Sequence, residues 1–86
     1  MFQIKFSRDS EKFLNKCDKI LIKRIFNKLK KLKENPFPSD CKKVEGQIGK
    51  VFRIRMGNYR ILYEVFKGIK MINIINIDKR SKIYKK

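Results

Sequence analysis

Four of the six arginines fall between positions 53 and 80, and three of them, Arg53, Arg55 and Arg60, sit within the stretch VFRIRMGNYRILYEV. A guanidinium holds its proton at every accessible pH, and its planar fork makes two parallel charge-assisted bonds to a phosphate. Such residues stabilise negative charge and do not move protons. The chain contains no histidine among its 86 residues, which removes imidazole acid–base chemistry and the Ser/His/Asp and Cys/His nucleophilic systems. Proton transfer is left to Lys, Tyr or carboxylates. Eight scattered acids without histidine do not form the carboxylate or imidazole cluster a metal nuclease needs. Cys17 and Cys41 lie too far apart for a zinc knuckle, and two cysteines make no disulfide framework, so both are expected as reduced thiols and no cofactor is implied.

What the arginines can do depends on the turn between them. If Gly57 and Asn58 form a two-residue hairpin turn, Met56 faces Tyr59, Arg55 faces Arg60, Ile54 faces Ile61, Arg53 faces Leu62 and Phe52 faces Tyr63. One face then carries Phe52, Ile54, Met56, Tyr59, Ile61 and Tyr63; the other carries Arg53, Arg55, Arg60 and Glu64. A like-charge pair directly across two strands costs a few tenths to about 1 kcal/mol, so Arg55 opposite Arg60 makes sense where an anion completes it. The plainer alternative is a solvated strand face whose cations discourage edge pairing. On the solvated-face geometry, truncating Arg60 should change stability by about 0.5 kcal/mol or less. Lys50, Lys79 and Lys82 extend the basic candidates for holding a polyanion beside Arg53. The tail from Ile77 to Lys86 either frays or brings Arg80 and Tyr84 back over the arginine face, where a tyrosine ring could stack on a base.

The elements that must hold this face follow from periodicity. Phe2, Ile4 and Phe6 alternate with Gln3 and Lys5, a half-buried strand. Ser7 is a suitable N-cap for a short helix carrying Phe13, Leu14 and Cys17, and Ile22, Ile25, Phe26, Leu29 and Leu32 recur at three and four residues through about Lys33. Pro36 stops that helix near Asn35. Residues 35 to 49 hold both prolines and no steady period and are expected to be a connecting loop. Runs 50 to 56, 59 to 66 and 69 to 77 then form an antiparallel meander with turns at Gly57-Asn58 and Lys67-Gly68. The expected fold is α+β: an N-terminal strand, a two-helix hairpin and a three-stranded meander in one domain over residues 1 to 86, with both helices on one sheet face. A charge of +16, from 24 Lys and Arg against 8 Asp and Glu, calls for a polyanionic partner, with nucleic acid ahead of anionic lipid or an acidic protein. No apolar run is long enough for a membrane span or a secretory signal, which places the expected site of action in the cytoplasm.

On these residues the sequence resembles the RelE/ParE superfamily of toxins from toxin–antitoxin pairs, more specifically its RelE branch. The resemblance runs over nearly the whole chain: the first strand, the helical hairpin ending in Asn35-Pro36, the segment Lys43-Val44-Glu45-Gly46, the signature from 51 to 65 and the closing element from Arg80 to Tyr84. It implies a ribosome-dependent endoribonuclease that cuts messenger RNA and is neutralised by a cognate antitoxin. By position it implies that Arg53 and Arg55 are basic residues of the catalytic strand. Arg60 corresponds to the phosphate-stabilising arginine, Arg80 to the arginine near the leaving group and Tyr84 to the tyrosine near the attacked nucleotide. RNA supplies its own nucleophile, the 2′-hydroxyl, so the protein has to align it, neutralise the phosphate and help the 5′-oxygen leave. Tyr84, Lys79 and Lys82 stay open as the group that takes the proton. Two other readings remain: a ParE-like inhibitor of DNA gyrase with the same fold, and a nucleic-acid-binding module without catalysis.

Overall fold

The computed structural model describes residues 1–44 and 50–79. The first strand, β1 (Gln3–Phe6), turns directly into α1 (Arg8–Asn15) at Ser7, whose hydroxyl accepts from the Ser10 N–H at 3.1 Å, as the sequence suggests for an N-cap. Asp9 and Glu11 in the first turn complement the helix dipole. The second helix, α2 (Lys19–Glu34), begins earlier than its apolar period predicts, because Asp18 caps it by accepting from the Leu21 N–H at 2.8 Å. It ends at Asn35, before Pro36, where a helical conformation is disfavoured.

Spacing of four and three residues puts Ile25, Leu29 and Leu32 on one line, and each is at most 1% exposed. Phe26, expected in that core, instead lies on its flank with almost half its surface open and meets the Phe6 ring edge-on. One residue of helix is about 100° of rotation, enough to carry the ring off the buried stripe.

The meander forms as predicted from β3 (Val51–Met56), β4 (Tyr59–Phe66) and β5 (Met71–Lys79). Two features of the sheet differ from the expectation. Its order is β1-β5-β4-β3-β2 and it is mixed, because β1 pairs with β5 in parallel, Gln3 beside Met71 through Phe6 beside Ile74. The helical hairpin carries the chain from β1 to β2 at the opposite edge, and the meander then returns it to β5 beside β1. The other edge is β2 (Lys42–Lys43), which pairs antiparallel with Arg53 and Phe52 inside the segment expected to be a loop. Two residues are too few to show an alternation.

Gly57 has φ +61° at the first central position of the β3–β4 turn, the primed geometry that matches strand twist. A Cβ there would also come within 2.7 Å of the Arg24 guanidinium. The second turn is longer than the predicted pair, running over residues 67 to 70 with Lys70 at φ 51° and its N–H donating to the Lys67 carbonyl. A bulge in β5 follows: Tyr63 lies opposite Ile74 but Leu62 opposite Asn76, leaving Ile75 over. Ile72, Ile74 and Ile77 consequently share the helix-covered face, each at most 1% exposed, with Ile54, Ile61 and Tyr63.

Two polar ties fix the chain after α2. The Tyr63 hydroxyl donates to the Pro36 carbonyl at 2.8 Å, and burial pushes its ionisation well above the ordinary phenol range. Lys28 Nζ lies 3.0 Å from Asp40 Oδ2 and, through that bond, lowers the Asp40 carboxyl. Tyr63→Phe leaves a buried carbonyl without its donor and should cost about 1–2 kcal/mol, seen as a melting temperature lower by roughly 4–8 °C per kcal/mol. Asp40 is depressed in the folded state, so its contribution is present above the unfolded value and is lost as pH falls through the folded one. Lys28→Met should therefore cost less than about 1 kcal/mol at pH 7, and denaturant midpoints of variant and wild type should converge below about pH 4.

Candidate functional site

Both helices pack on one face of the sheet, α1 against β5 and β1, α2 against β1 and β3. The opposite face is where the hairpin register sends the arginines. Its central row runs Arg55 on β3, Arg60 on β4 and Asp78 on β5, and the next row runs Lys42, Arg53, Leu62 and Asn76. Beyond it Glu64 on β4 lies opposite Asn73, whose amide donates to the Glu64 carboxylate at 3.2 Å. The five pairings derived from a two-residue turn are those observed, Arg55 opposite Arg60 among them.

Exposure differs sharply within the row. Arg55 is exposed and Arg53 half-buried, whereas Arg60 is only 1% exposed and its Nη1 donates to the Tyr59 carbonyl at 3.4 Å. The expectation of a solvent-facing Arg60 that can be truncated without cost is therefore corrected. Arg60 occupies a central strand between two neighbours with long or polar side chains, and its guanidinium is covered along with its methylene stem. Asp78 on β5 lies beside Arg60 in register.

Asp78 is the residue that sequence reasoning did not place. Continuous pairing from a Lys67-Gly68 turn would put Ile75 opposite Arg60; the four-residue turn and the bulge move Asp78 there instead. The signal was present in the spacing of Ile72, Ile74 and Ile77, which keeps one face only if an extra residue is absorbed between the last two.

The remaining candidates divide. Lys50 lines a groove with Phe37, Phe52, Val65 and Lys67 at the other end of the hairpin. Lys79 pairs with Tyr59 and lines a cavity of about 610 Å³ on the helix side, together with Phe13, Cys17 and Leu21. Neither shares the row of Arg55 and Arg60. Arg80, Lys82 and Tyr84 lie outside the described residues, as does the segment from Glu45 to Gly49. Both cysteines are free thiols; Cys17 donates to the Phe13 carbonyl at 3.2 Å, and burial, then Asp18, raises its ionisation. Among the described residues no three His, Cys, Asp or Glu side chains converge as a metal site would require, and no helix is long and apolar enough to cross a membrane.

Chemically, the row offers an anion approaching from solvent the exposed guanidinium of Arg55, with the buried Arg60 directly beside it. Residues 4–84 match the family model described as the ParE toxin of the type II toxin–antitoxin system parDE. The chain belongs to the RelE/ParE superfamily of type II toxins. A RelE-like toxin protein of Escherichia coli is 29% identical over 89 residues, covering 94% of this chain and 85% of that protein. Among solved structures, the archaeal RelE–RelB complex from Pyrococcus horikoshii OT3 superposes with a TM-score of 0.80 at 27% identity, over 94% of this chain and 97% of that one. The RelB–RelE antitoxin–toxin complex from Methanococcus jannaschii gives 0.70, also at 27% identity, over 93% and 94%.

For this RelE/ParE toxin the two arginines of the pair should separate by stability. Arg60→Ala empties a buried position and should cost about 1–3 kcal/mol, whereas Arg55→Ala should stay within about 0.5 kcal/mol. Urea midpoints of the two variants measure the difference, and equal midpoints would contradict the burial of Arg60.

Proposed function

We propose that this toxin is a ribosome-dependent endoribonuclease that cuts messenger RNA, with the Arg55–Arg60 pair holding the scissile phosphate. The observation that carries the reading is the like-charge pair itself: two guanidinium groups directly across a hairpin, one buried, one exposed, on the sheet face opposite the helices. The mutual repulsion of such a pair is relieved when an anion binds against it. In-line attack of the RNA's own 2′-hydroxyl raises the charge on the phosphate oxygens, and preorganised cations at that point lower the barrier. Arg60 takes the equatorial charge, Arg55 follows it, and Arg80 assists the departing 5′-oxygen. Arg53, with Lys50 and Lys82, holds the flanking strand. Tyr84 and Lys82 are the proton acceptors this reading favours, since Lys79 lines the helix-side cavity. The products are a 2′,3′-cyclic phosphate, or the 3′-phosphate it hydrolyses to, and a 5′-hydroxyl.

The structural relatives include toxins solved with RelB antitoxins, and +16 on 86 residues suits a partly disordered, partly acidic antitoxin segment that covers the basic surface. A ParE-like action on DNA gyrase is the second reading, favoured by the family model that the chain matches.

Purified protein added to programmed ribosomes should release fragments with 5′-hydroxyl ends, and a message with one 2′-deoxy nucleotide at the cut site should remain whole. Arg55→Ala, which leaves the fold intact, and Arg60→Lys, which keeps the charge but loses the fork, should each lower the single-turnover cleavage rate, toward the 100-fold to 1000-fold typical of a lost charge-stabilising donor. Inhibition of gyrase supercoiling with no cut message would favour the second reading. Cleavage of the deoxy substrate at the normal rate would exclude 2′-hydroxyl attack.

A further inference from the structure

Beside the central row, the sheet edge forms a cleft of about 260 Å³ lined by Asp40, Lys42, Arg53 and Arg55. Lys42 lies on β2, in register with Arg53 and therefore on the same sheet face as Arg55 and Arg60. It is exposed, and among the described residues its ammonium has no hydrogen-bond or ion-pair partner. The one carboxylate lining the cleft, Asp40, is bonded to Lys28 at 3.0 Å. Strand spacing of about 4.8 Å and a two-residue offset along the sheet separate the backbone of Lys42 from that of Arg60 by roughly 12 Å. At that separation Lys42 is placed to meet a neighbouring phosphate of the same strand.

We propose that the cleft is a second phosphodiester subsite, in which Lys42 on the edge strand, together with Arg53, binds a backbone phosphate flanking the one at Arg55 and Arg60. The proposal rests on the nucleic-acid reading above and extends it to a residue in a segment that reads as loop. The recognised chemistry is a phosphodiester, supplied by the message or by ribosomal RNA. Ammonium suits this position because a phosphate entering from solvent at a sheet edge needs a flexible point charge more than a fixed fork.

The test is equilibrium binding of full-length protein to a short, uncleavable 2′-O-methyl RNA and, separately, to ribosomes without message, across about 50 to 200 mM salt, where each phosphate contact on a single strand contributes about 0.7 to the log–log slope. Lys42→Ala should lower the slope by about 0.7, so that its loss of affinity is roughly threefold greater at the low-salt end than at the high-salt end. Lys23→Ala, on the outer face of α2, should leave the slope unchanged, and Asp40→Asn, which removes the cleft's carboxylate and releases Lys28, should tighten binding severalfold. A reduced slope for the oligonucleotide assigns the phosphate to the message; a reduced slope for ribosomes alone assigns it to ribosomal RNA; either supports the subsite. An unchanged slope in both overturns it, as does a Lys42→Ala loss confined to a polyglutamate probe, which would make the cleft a contact for an acidic protein. Cleavage is scored apart from binding: RNA binding that depends on Lys42 without ribosomal cleavage keeps the subsite and removes the endoribonuclease, and cleavage indifferent to Lys42 does the reverse.

Discussion

A two-residue turn with Gly57 at φ +61° sets β3 against β4, and the placement of Arg53, Arg55 and Arg60 on one face is a consequence of that register. Side chains alternate between faces with a period of two, so a slip of one residue in β3 against β4 would drive Arg53 and Arg55 beneath α2 and expose Ile54 and Met56. The penalty is asymmetric. Burying two guanidinium groups costs far more than exposing two apolar side chains, which makes the register one of the best-determined quantities in the molecule. The close approach of Arg24 to the turn adds a second reason for glycine there, since any side chain would have to displace it.

The same register loads the hairpin with a like-charge pair that folding alone would not select. It is tolerated for two physical reasons. Arg55 sits at the exposed end of the row, where water screens it, and Arg60, although buried, lies opposite Asp78 on its other side. The row thus has a carboxylate in register on one flank and an exposed guanidinium on the other. An anion approaching from solvent meets the open flank, so the fold positions a binding determinant without leaving the protein with an isolated buried cation.

The hairpin was legible from the sequence because its signals are local: a Gly-Asn pair, alternation on both sides and one self-consistent pairing. The Ser7 cap, the second helix and the three strands of the meander were legible for the same reason. Missing were the features that depend on pairings distant in sequence. Nothing in QIKF says that β1 lies beside β5, since parallel and antiparallel edges share the same alternation. Two residues of β2 leave no period to read. The burial of Arg60 was hidden because it arises from three strands at once, and Asp78 was hidden behind a bulge that shifts the pairing by one. For the site, residue type identified the chemistry of Arg53, Arg55 and Arg60, while only topology separated Lys50 and Lys79 from them and brought Lys42 alongside.

The bulge at Ile75 shows how little sequence is needed to join core and site. β5 must supply three isoleucines to the helix-covered face and a carboxylate to the open one. Strict alternation from Ile72 would place Ile77 on the open side and Asp78 against the helices. One additional residue resolves the conflict: Ile77 returns to the core at 1% exposure and Asp78 turns outward beside Arg60. The inserted residue is itself apolar, and its carbonyl does not go to waste, because the Ser7 hydroxyl donates to it at 2.6 Å while Ser10 donates to the Ile74 carbonyl next to it. The N-cap of α1 therefore also satisfies the irregular point of the sheet. Through that contact the first helix helps fix the strand position that sets Asp78 against Arg60, so the helical layer and the arginine face, although on opposite sides of the sheet, are held in one geometry.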